Sequence, residues 1–399
     1  MSLLIHVLFC GIVANSYMKI LFQYFTGGGG AVTNIIFLLQ ALSRQFPRDH
    51  IDMVCSKSSD LHCLGTLPNV DVLSYGGIRH QEVDRISLGF GGLGRIAKER
   101  KADIIWSLNF GSYIKTPFPQ VLSVNNSHQV YPWHVTRFHP DNRLHVAALR
   151  WFFRKSLRVS DGVIVQTSIM GDYVQKISGA PKRIQVIPKA VENESDFLSK
   201  ILPSDLKNSL ETDQCKQVFT FLFVSAYFPH KNHKIIVEVF DRLASEGIPI
   251  RVVVTLRLDE LLAIGGEKAR RLVNSRHLVP VGWVKKAYLK SLYDACDACL
   301  MPSMLESLSS AHLEAMHWGK PQISSDLPFA RDLCGDAALY ASAEDPVEWV
   351  AKIKEFASDA TLRMNLVKAG HERMKRFPAT WAESALKVHA FLEEIVAGQ

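Results

Sequence analysis

The sequence predicts an α/β protein built from two doubly wound domains facing across a cleft, and three observations carry that prediction. Short apolar runs alternate with segments of helical period along most of the 399 residues. The runs are apolar at successive positions rather than at every second one, as in parallel strands covered by helices on both faces. The alternation also starts twice, with a polar stretch between the two series. Open α/β domains paired in this way take a ligand in the crevice at the carboxyl ends of their strands.

The first series occupies residues 18–192. MKILFQYF from Met18 reads as the opening strand, NIIFLLQALSRQF as its helix, and HIDMVCS, ADIIWSLN and QVLSVNNS as further strands. NRLHVAALRWFFRKSLRV is a long helix, and GVIVQTS and RIQVIPKAV are the closing strands. Residues 193–216 are polar and lack a strand-like run, which predicts a linker. The second series, 217–375, contains VFTFLFVSAY, HKIIVEVFDRLASEG, IRVVVTLR, HLVPVGWV, AYLKSLYDACD, ACLMPS, SSAHLEAMHWG, PQISSD and AALYAS, with helices after Asp345 and a terminal helical segment over 376–399. Ahead of all this, residues 1–17 open with thirteen residues free of Lys and Arg, MSLLIHVLFCGIV. That run is too short to span a bilayer and lacks the charged start of a secretory signal, so it is expected to lie outside the fold.

Composition narrows the class. With 47% apolar and 21% charged residues the chain buries a large core, which excludes disordered and fibrous proteins. The net charge of +7 is matched by the interval from Val130 to Lys189, where ten Lys or Arg face three acids. Arg143, Arg150, Arg154 and Arg158 recur at helical spacing beside Trp151, Phe152 and Phe153. They read either as a face that meets anionic lipid headgroups or as a solvated face over core aromatics. The seven cysteines are odd in number and scattered through apolar stretches, as in a reducing, cytoplasmic setting. Cys296 and Cys299 form one CxxC without a second pair, and a buried location is expected for both.

Three motifs could carry chemistry. Gly27 to Gly30 follow the first strand directly, where glycines allow backbone N–H groups to approach an anion closely. Gly89, Gly91 and Gly94 fit a GxGxxG pattern, but EVDRISL before them is no apolar strand and no acid ends a second strand beyond, so a loop that starts a helix is expected. The sharpest signal is PSMLESLSSAHLEAMHWGKP, 302–321. Its serines start a helix that Gly319 and Pro321 stop, leaving Glu306 in the loop and Glu314 about one turn inside. The N–H groups of Leu308, Ser309 and Ser310 then face an anion, while a carboxylate beside it accepts hydrogen bonds from sugar hydroxyls. His312 and His317 are five apart on that helix and do not converge on a metal.

Glu306 and Glu314 within PSxxES…LEAMxxGxP, followed by SSDLPFARDLCGDAALY, resemble the carboxyl-terminal domain of the retaining glycosyltransferases of family four. The resemblance extends through VIVQTSIMGDYV, RIQVIPKAV, YFPHKNHKIIVEVF and VPVGWV, and it implies two Rossmann-like domains in the GT-B arrangement, with the Trp381 segment crossing back to the first. It implies that Glu314 holds the ribose hydroxyls of a nucleotide, that Glu306 holds donor-sugar hydroxyls, and that Lys231 neutralises the diphosphate with Gly28 and Gly29 approaching it. His128 in NNSHQVYP matches the histidine that contacts the transferred sugar; the bland alternative is a loop histidine with its hydrogen bonds satisfied. Two positions depart from the pattern. Ala226 stands where the family has an Arg five residues before the Lys, and Lys189-Ala190 replace an Asn-Gly.

The expected activity is transfer of a hexose from a nucleoside-diphosphate sugar to a glycan or lipid-linked acceptor, in surface polysaccharide or lipopolysaccharide synthesis. Retention at the anomeric carbon is implied. No Asp-x-Asp occurs in the chain, so no metal is expected, and the nucleotide sugar is a substrate rather than a cofactor. The expected setting is the cytoplasm, peripheral on the inner face of the membrane, without nucleic acid. A degenerate sugar-nucleotide-binding protein is the alternative of another class, and a nicotinamide-dependent oxidoreductase would need the Gly89 cluster to bind a dinucleotide.

Overall fold

The structure is a computed structural model, and it describes residues 17–25, 30–77, 81–134, 143–179, 182–191, 200–210 and 218–398. The expectations for residues 1–16, for Gly28 and Gly29, and for most of 193–216 fall outside the described residues.

Two parallel sheets organise the chain. The first contains β1 (Lys19–Gln23), β2 (His50–Ser56), β3 (Val70–Tyr75), β4 (Ile104–Leu108), β5 (Gln120–Val124), β6 (Gly162–Val165) and β7 (Arg183–Val186), in the order β3-β2-β1-β4-β5-β6-β7. The second contains β8 (Phe219–Phe223), β9 (Ile250–Val254), β10 (Leu278–Pro280), β11 (Ala298–Met301), β12 (Gln322–Ser325) and β13 (Leu339–Ala341), in the order β10-β9-β8-β11-β12-β13. Each order reverses beside its opening strand: β1 pairs with β2 and β4, and β8 with β9 and β11. That reversal is the switch point at which doubly wound sheets bind ligands.

The apolar runs are continuous because both faces of the strands are covered. In the second sheet Phe221, Phe223, Val252, Val254 and Leu300 pack with Phe240, Trp349 and Phe356 on one side. The residues between them, Leu222, Val253, Cys299 and Met301, pack with Leu292 and Tyr293 on the other. Each such side chain contributes about 1.5–3 kcal/mol on burial. Cys296 and Cys299 belong to this core as free thiols, and burial pushes the Cys296 thiol up to about 12, which makes it inert. Within the described part of the predicted linker, Ser204–Leu210 is a helix whose Leu210 is buried in the same cluster.

The sequence reading omitted β3. VDVLSY carries Asp71 and Ser74 exposed on a sheet edge, so it has no continuous apolar run to read. Register places Asp71 beside Asp52 of β2, and Arg100 bridges the two carboxylates, with its Nε 2.7 Å from Asp52 Oδ1. The Gly89 to Gly94 cluster is a helical kink between Gln81–Ser87 and Leu93–Arg100, with Gly91 at φ 121°. A Cβ on Gly89 would lie 2.2 Å from the Tyr113 ring, so this glycine serves packing.

Chain contacts group the residues into two units. One holds the described residues up to Ser123 with Lys155–Gly162 and the residues from Ala385; the other holds Val124–Arg154 and Val163–Ser384. In the first unit Asp49 accepts the Met18 N–H at 2.8 Å and lies 2.6 Å from Nε2 of His389, whose ring stacks on Phe46 at 3.5 Å. Val388, Phe391, Leu392 and Ile395 of the helix Trp381–Ala397 are buried, and a Cβ on Gly162 would meet the Phe391 ring at 2.8 Å. Among the described residues no helix is long and apolar enough to cross a membrane.

Candidate functional site at the switch point of the second sheet

Strand β8 ends at Phe223, and the chain then runs through Ser225 to a single turn, Pro229–Lys231. Asn232 adopts a left-handed φ of 60° and its Nδ2 donates to the Ala343 carbonyl at 2.8 Å, which turns the chain into the helix His233–Ser245. Strand β11 ends at Met301 and leads through Glu306 into the helix Ser310–His317. Because β8 and β11 are neighbours, the two loops emerge side by side at their carboxyl ends. The Met304 N–H donates to the His230 carbonyl at 2.7 Å and ties them together.

That tie brings Lys231 and Glu306 into contact, Nζ to Oε1 at 2.5 Å, with the two side chains 22% and 11% exposed. Burial pushes the Glu306 carboxyl up, but the Lys231 ammonium, its hydrogen bond, His230 and the Ser303 hydroxyl outweigh burial and hold the group below the usual carboxylate range. Glu314 sits differently. Burial raises its carboxyl, and the Tyr293 hydroxyl at 3.1 Å, Lys189 and Lys286 offset only part of that rise. Two carboxylates eight positions apart therefore have distinct characters: one salt-bridged, the other held by a phenol.

Ser309 stands at the N-cap position without a side-chain capping bond and is buried, as is Leu308, while Ser310 is exposed at the first helical position. The ammonium of Lys189 donates to the Ser310 hydroxyl. Burial lowers that ammonium to about 8, with Glu314 and Glu306 opposing the drop and Lys231 and Lys286 adding to it. Sequence reasoning recorded Lys189 only as a departure from the family pattern and did not assign it, Lys286 or Tyr293 to the site. Its one available signal was a cation standing at the end of the last strand of the first series. Lys234 is exposed on its helix.

His128 lies on the four-residue helix Ser127–Val130, its ring 5.6 Å from that of His230 and edge-on to it. His230 in turn stacks on Phe228 at 5.5 Å. Arg150 supports this helix: its Nε donates to the His128 carbonyl at 3.0 Å, its Nη2 donates to the Tyr131 carbonyl, and its guanidinium lies over the Trp133 ring at 4.2 Å. This corrects the placing of all four arginines on one exposed face, whether lipid-facing or solvated. Arg150 is 8% exposed, whereas Arg143, Arg154 and Arg158 are exposed along the helix Arg143–Val159. Helical spacing placed them on one side, but the buried carbonyls at the end of Ser127–Val130 draw Arg150 inward.

Among the described residues the helix histidines belong to no group of three potential metal ligands. His312 is fully buried with its Nε2 2.9 Å from Ser324 Oγ, and burial lowers it to about 4, leaving it neutral. Among the described residues, His50, Asp52 and Asp71 place ligand atoms within 4.8 Å of one another, but this is the trio of the first sheet where Arg100 already bridges the acids. Gly28 and Gly29 lie outside the described residues.

Residues 28–195 match the family model described as Glycosyltransferase Family 4, and residues 211–373 match Glycosyl transferases group 1. The chain belongs to this glycosyltransferase family. The glycosyltransferase is 26% identical over 264 residues to the O-antigen chain mannosyltransferase RfbU of Salmonella typhimurium, a match covering 64% of this chain and 68% of that protein. Among solved structures it is similar to sucrose-phosphate synthase from Thermosynechococcus elongatus, with a TM-score of 0.70, 17% identity and coverage of 96% of this chain and 100% of that one. Anabaena HepE, solved with UDP and glucose, gives a TM-score of 0.69 at 16% identity over 94% of this chain and 100% of that one. WaaG, a glycosyltransferase of lipopolysaccharide biosynthesis, gives 0.67 at 14% identity over 92% and 99%. At these identities the solved structures bear on the glycosyltransferase's fold, which is GT-B.

Proposed function

We propose that the chain transfers a hexose from a nucleoside-diphosphate sugar to a glycan or lipid-linked acceptor, with retention at the anomeric carbon, without a metal, and in the synthesis of a surface polysaccharide. The observation that carries the reading is the convergence of Lys231, Glu306 and Glu314 at the switch point of the second sheet, beside the start of the helix Ser310–His317. In this reading Glu314 accepts hydrogen bonds from the ribose hydroxyls and Glu306 from the donor sugar. Lys231 and the helix start, with the N–H groups of Leu308, Ser309 and Ser310, receive the diphosphate as it departs. Positive charge fixed in advance at the leaving group lowers the barrier without an enzyme nucleophile. His128, held next to His230, faces the transferred sugar. The similarity to an O-antigen mannosyltransferase supports the polysaccharide assignment and makes mannose the first sugar to try. Arg143, Arg154 and Arg158 remain the groups through which the protein would meet an anionic membrane surface from the cytoplasmic side.

The test is release of nucleoside diphosphate from UDP-glucose and from GDP-mannose, followed by the anomeric configuration of the glycan product. Turnover with retained configuration, unchanged in EDTA, is expected. An inverted product would overturn retention, and loss of activity in EDTA restored by Mg²⁺ would overturn metal independence. Tight binding of a nucleoside diphosphate with no turnover on any acceptor would favour the degenerate binder, a reading that Ala226 in place of the family's Arg supports.

A further inference from the structure

Lys231 is paired with Glu306, but Lys189 is not paired with an acid: among the described residues its ammonium has the Ser310 hydroxyl as its one hydrogen-bond partner. The charged groups that act on it are Glu314 and Glu306 on one side and Lys231 and Lys286 on the other. Lys189 makes this cluster of three lysines and two carboxylates net positive, at a helix start that already favours an anion. A half-buried cation hydrogen-bonded only to a neutral hydroxyl has its desolvation offset only in part, by the charges of Glu314 and Glu306. Two of its three N–H donors remain for another acceptor.

We propose that Lys189 is the second cation of the diphosphate site, parked on Ser310 while the site is empty and turning to the phosphate oxygens when the nucleotide binds. This rests on the donor-site reading above and adds the residue that supplies the charge Ala226 lacks. The loop after β8, which carries Ala226, and the segment after β7, which carries Lys189, are separate parts of the chain, so substitution at one position is compatible with gain at the other. Lys189 thus acts by direct contact with the leaving group, and its loss is expected to be felt by the diphosphate and not by the nucleoside.

The experiment is calorimetric titration of the full chain with UDP and GDP, and with uridine and guanosine, for wild type and Lys189→Ala. Lys189→Ala is expected to weaken the bound diphosphate about tenfold or more, as for one lost charge-assisted hydrogen bond, and to leave nucleoside affinity within twofold. Unaltered nucleoside binding also shows that Lys189→Ala is folded. Diphosphate binding within twofold of wild type in Lys189→Ala would overturn the proposal while leaving the donor site standing. Equal losses for diphosphate and nucleoside would also overturn it, because they would mark Lys189 as a scaffold residue. Failure of wild type to bind any nucleoside diphosphate would overturn both readings together.

Discussion

Lys231 Nζ stands 2.5 Å from Glu306 Oε1, so the cation and the acid proposed to hold two different parts of one substrate neutralise each other before it arrives. The substrate must compete with that pair. Glu306→Gln is therefore expected to leave nucleoside diphosphate affinity equal or higher, because it frees the ammonium, while turnover falls at least 100-fold. Lys231→Ala is expected to lower turnover by about 10²–10³, the usual cost of losing one preorganised group at the departing charge. Steady-state kinetics beside calorimetry separates the two; a tenfold loss of diphosphate affinity in Glu306→Gln would show that the pair does not compete.

Glu314 should report on the nucleoside itself. Its carboxyl is raised by burial, and only the ionised form offers both oxygens to the ribose. Affinity for uridine or guanosine is thus expected to decline as pH falls through the raised value and to hold steady above it. Glu314→Gln should lose about 1.5–3 kcal/mol of nucleoside binding and remove the acid-side decline. A pH profile that keeps its shape in the variant would assign the titration to another group.

The alkaline side belongs to Lys189. Its ammonium is lowered to about 8, and only the charged form attracts a diphosphate. Below pH 8 the cation is present and affinity is full; above it the proton must be taken up on binding, and affinity falls by up to tenfold for each further pH unit. Titrations in buffers of different ionisation enthalpy should show that proton uptake directly, and Lys189→Ala should abolish it.

Arg150 tests the packing around His128. With Arg150→Ala the His128 and Tyr131 carbonyls lose their donor, and a cost of about 2–3 kcal/mol is expected in chemical denaturation. Replacing Arg143, Arg154 and Arg158 together should leave stability within about 0.5 kcal/mol, since these side chains are exposed. Sedimentation with anionic vesicles that is the same for the triple variant and wild type would remove the membrane-surface proposal.

In the first sheet, Arg100→Ala should leave the buried Asp52 beside Asp71 without the cation between them. A loss of about 1–3 kcal/mol in denaturant midpoint measurements is expected, partly recovered by adding Asp71→Asn.

What could be read from the chain and what could not divides along physical lines. Phe221 to Phe223 and Ala298 to Met301 announce buried strands because every position is apolar, and Glu306 and Glu314 announce a site because helix-start and helix-stop residues frame them. Val70–Tyr75 went unread because an edge strand keeps its polar residues. Arg150 was misplaced because periodicity assigns an angle around a helix and says nothing of which carbonyls wait at that angle. Lys189 was missed as a site residue because its partner, Ser310, is 121 positions away and only the fold brings them together.

The helix Trp381–Ala397 carries a consequence for how the protein is made. Gly162 is closed off by Phe391, and Asp49 finds His389, so the unit built from the earliest strands borrows part of its interior from residues translated more than 200 positions later. A ribosome that has delivered β1 to β5 has delivered strands without their seal, and chains stalled before residue 385 would present that apolar surface to chaperones and proteases.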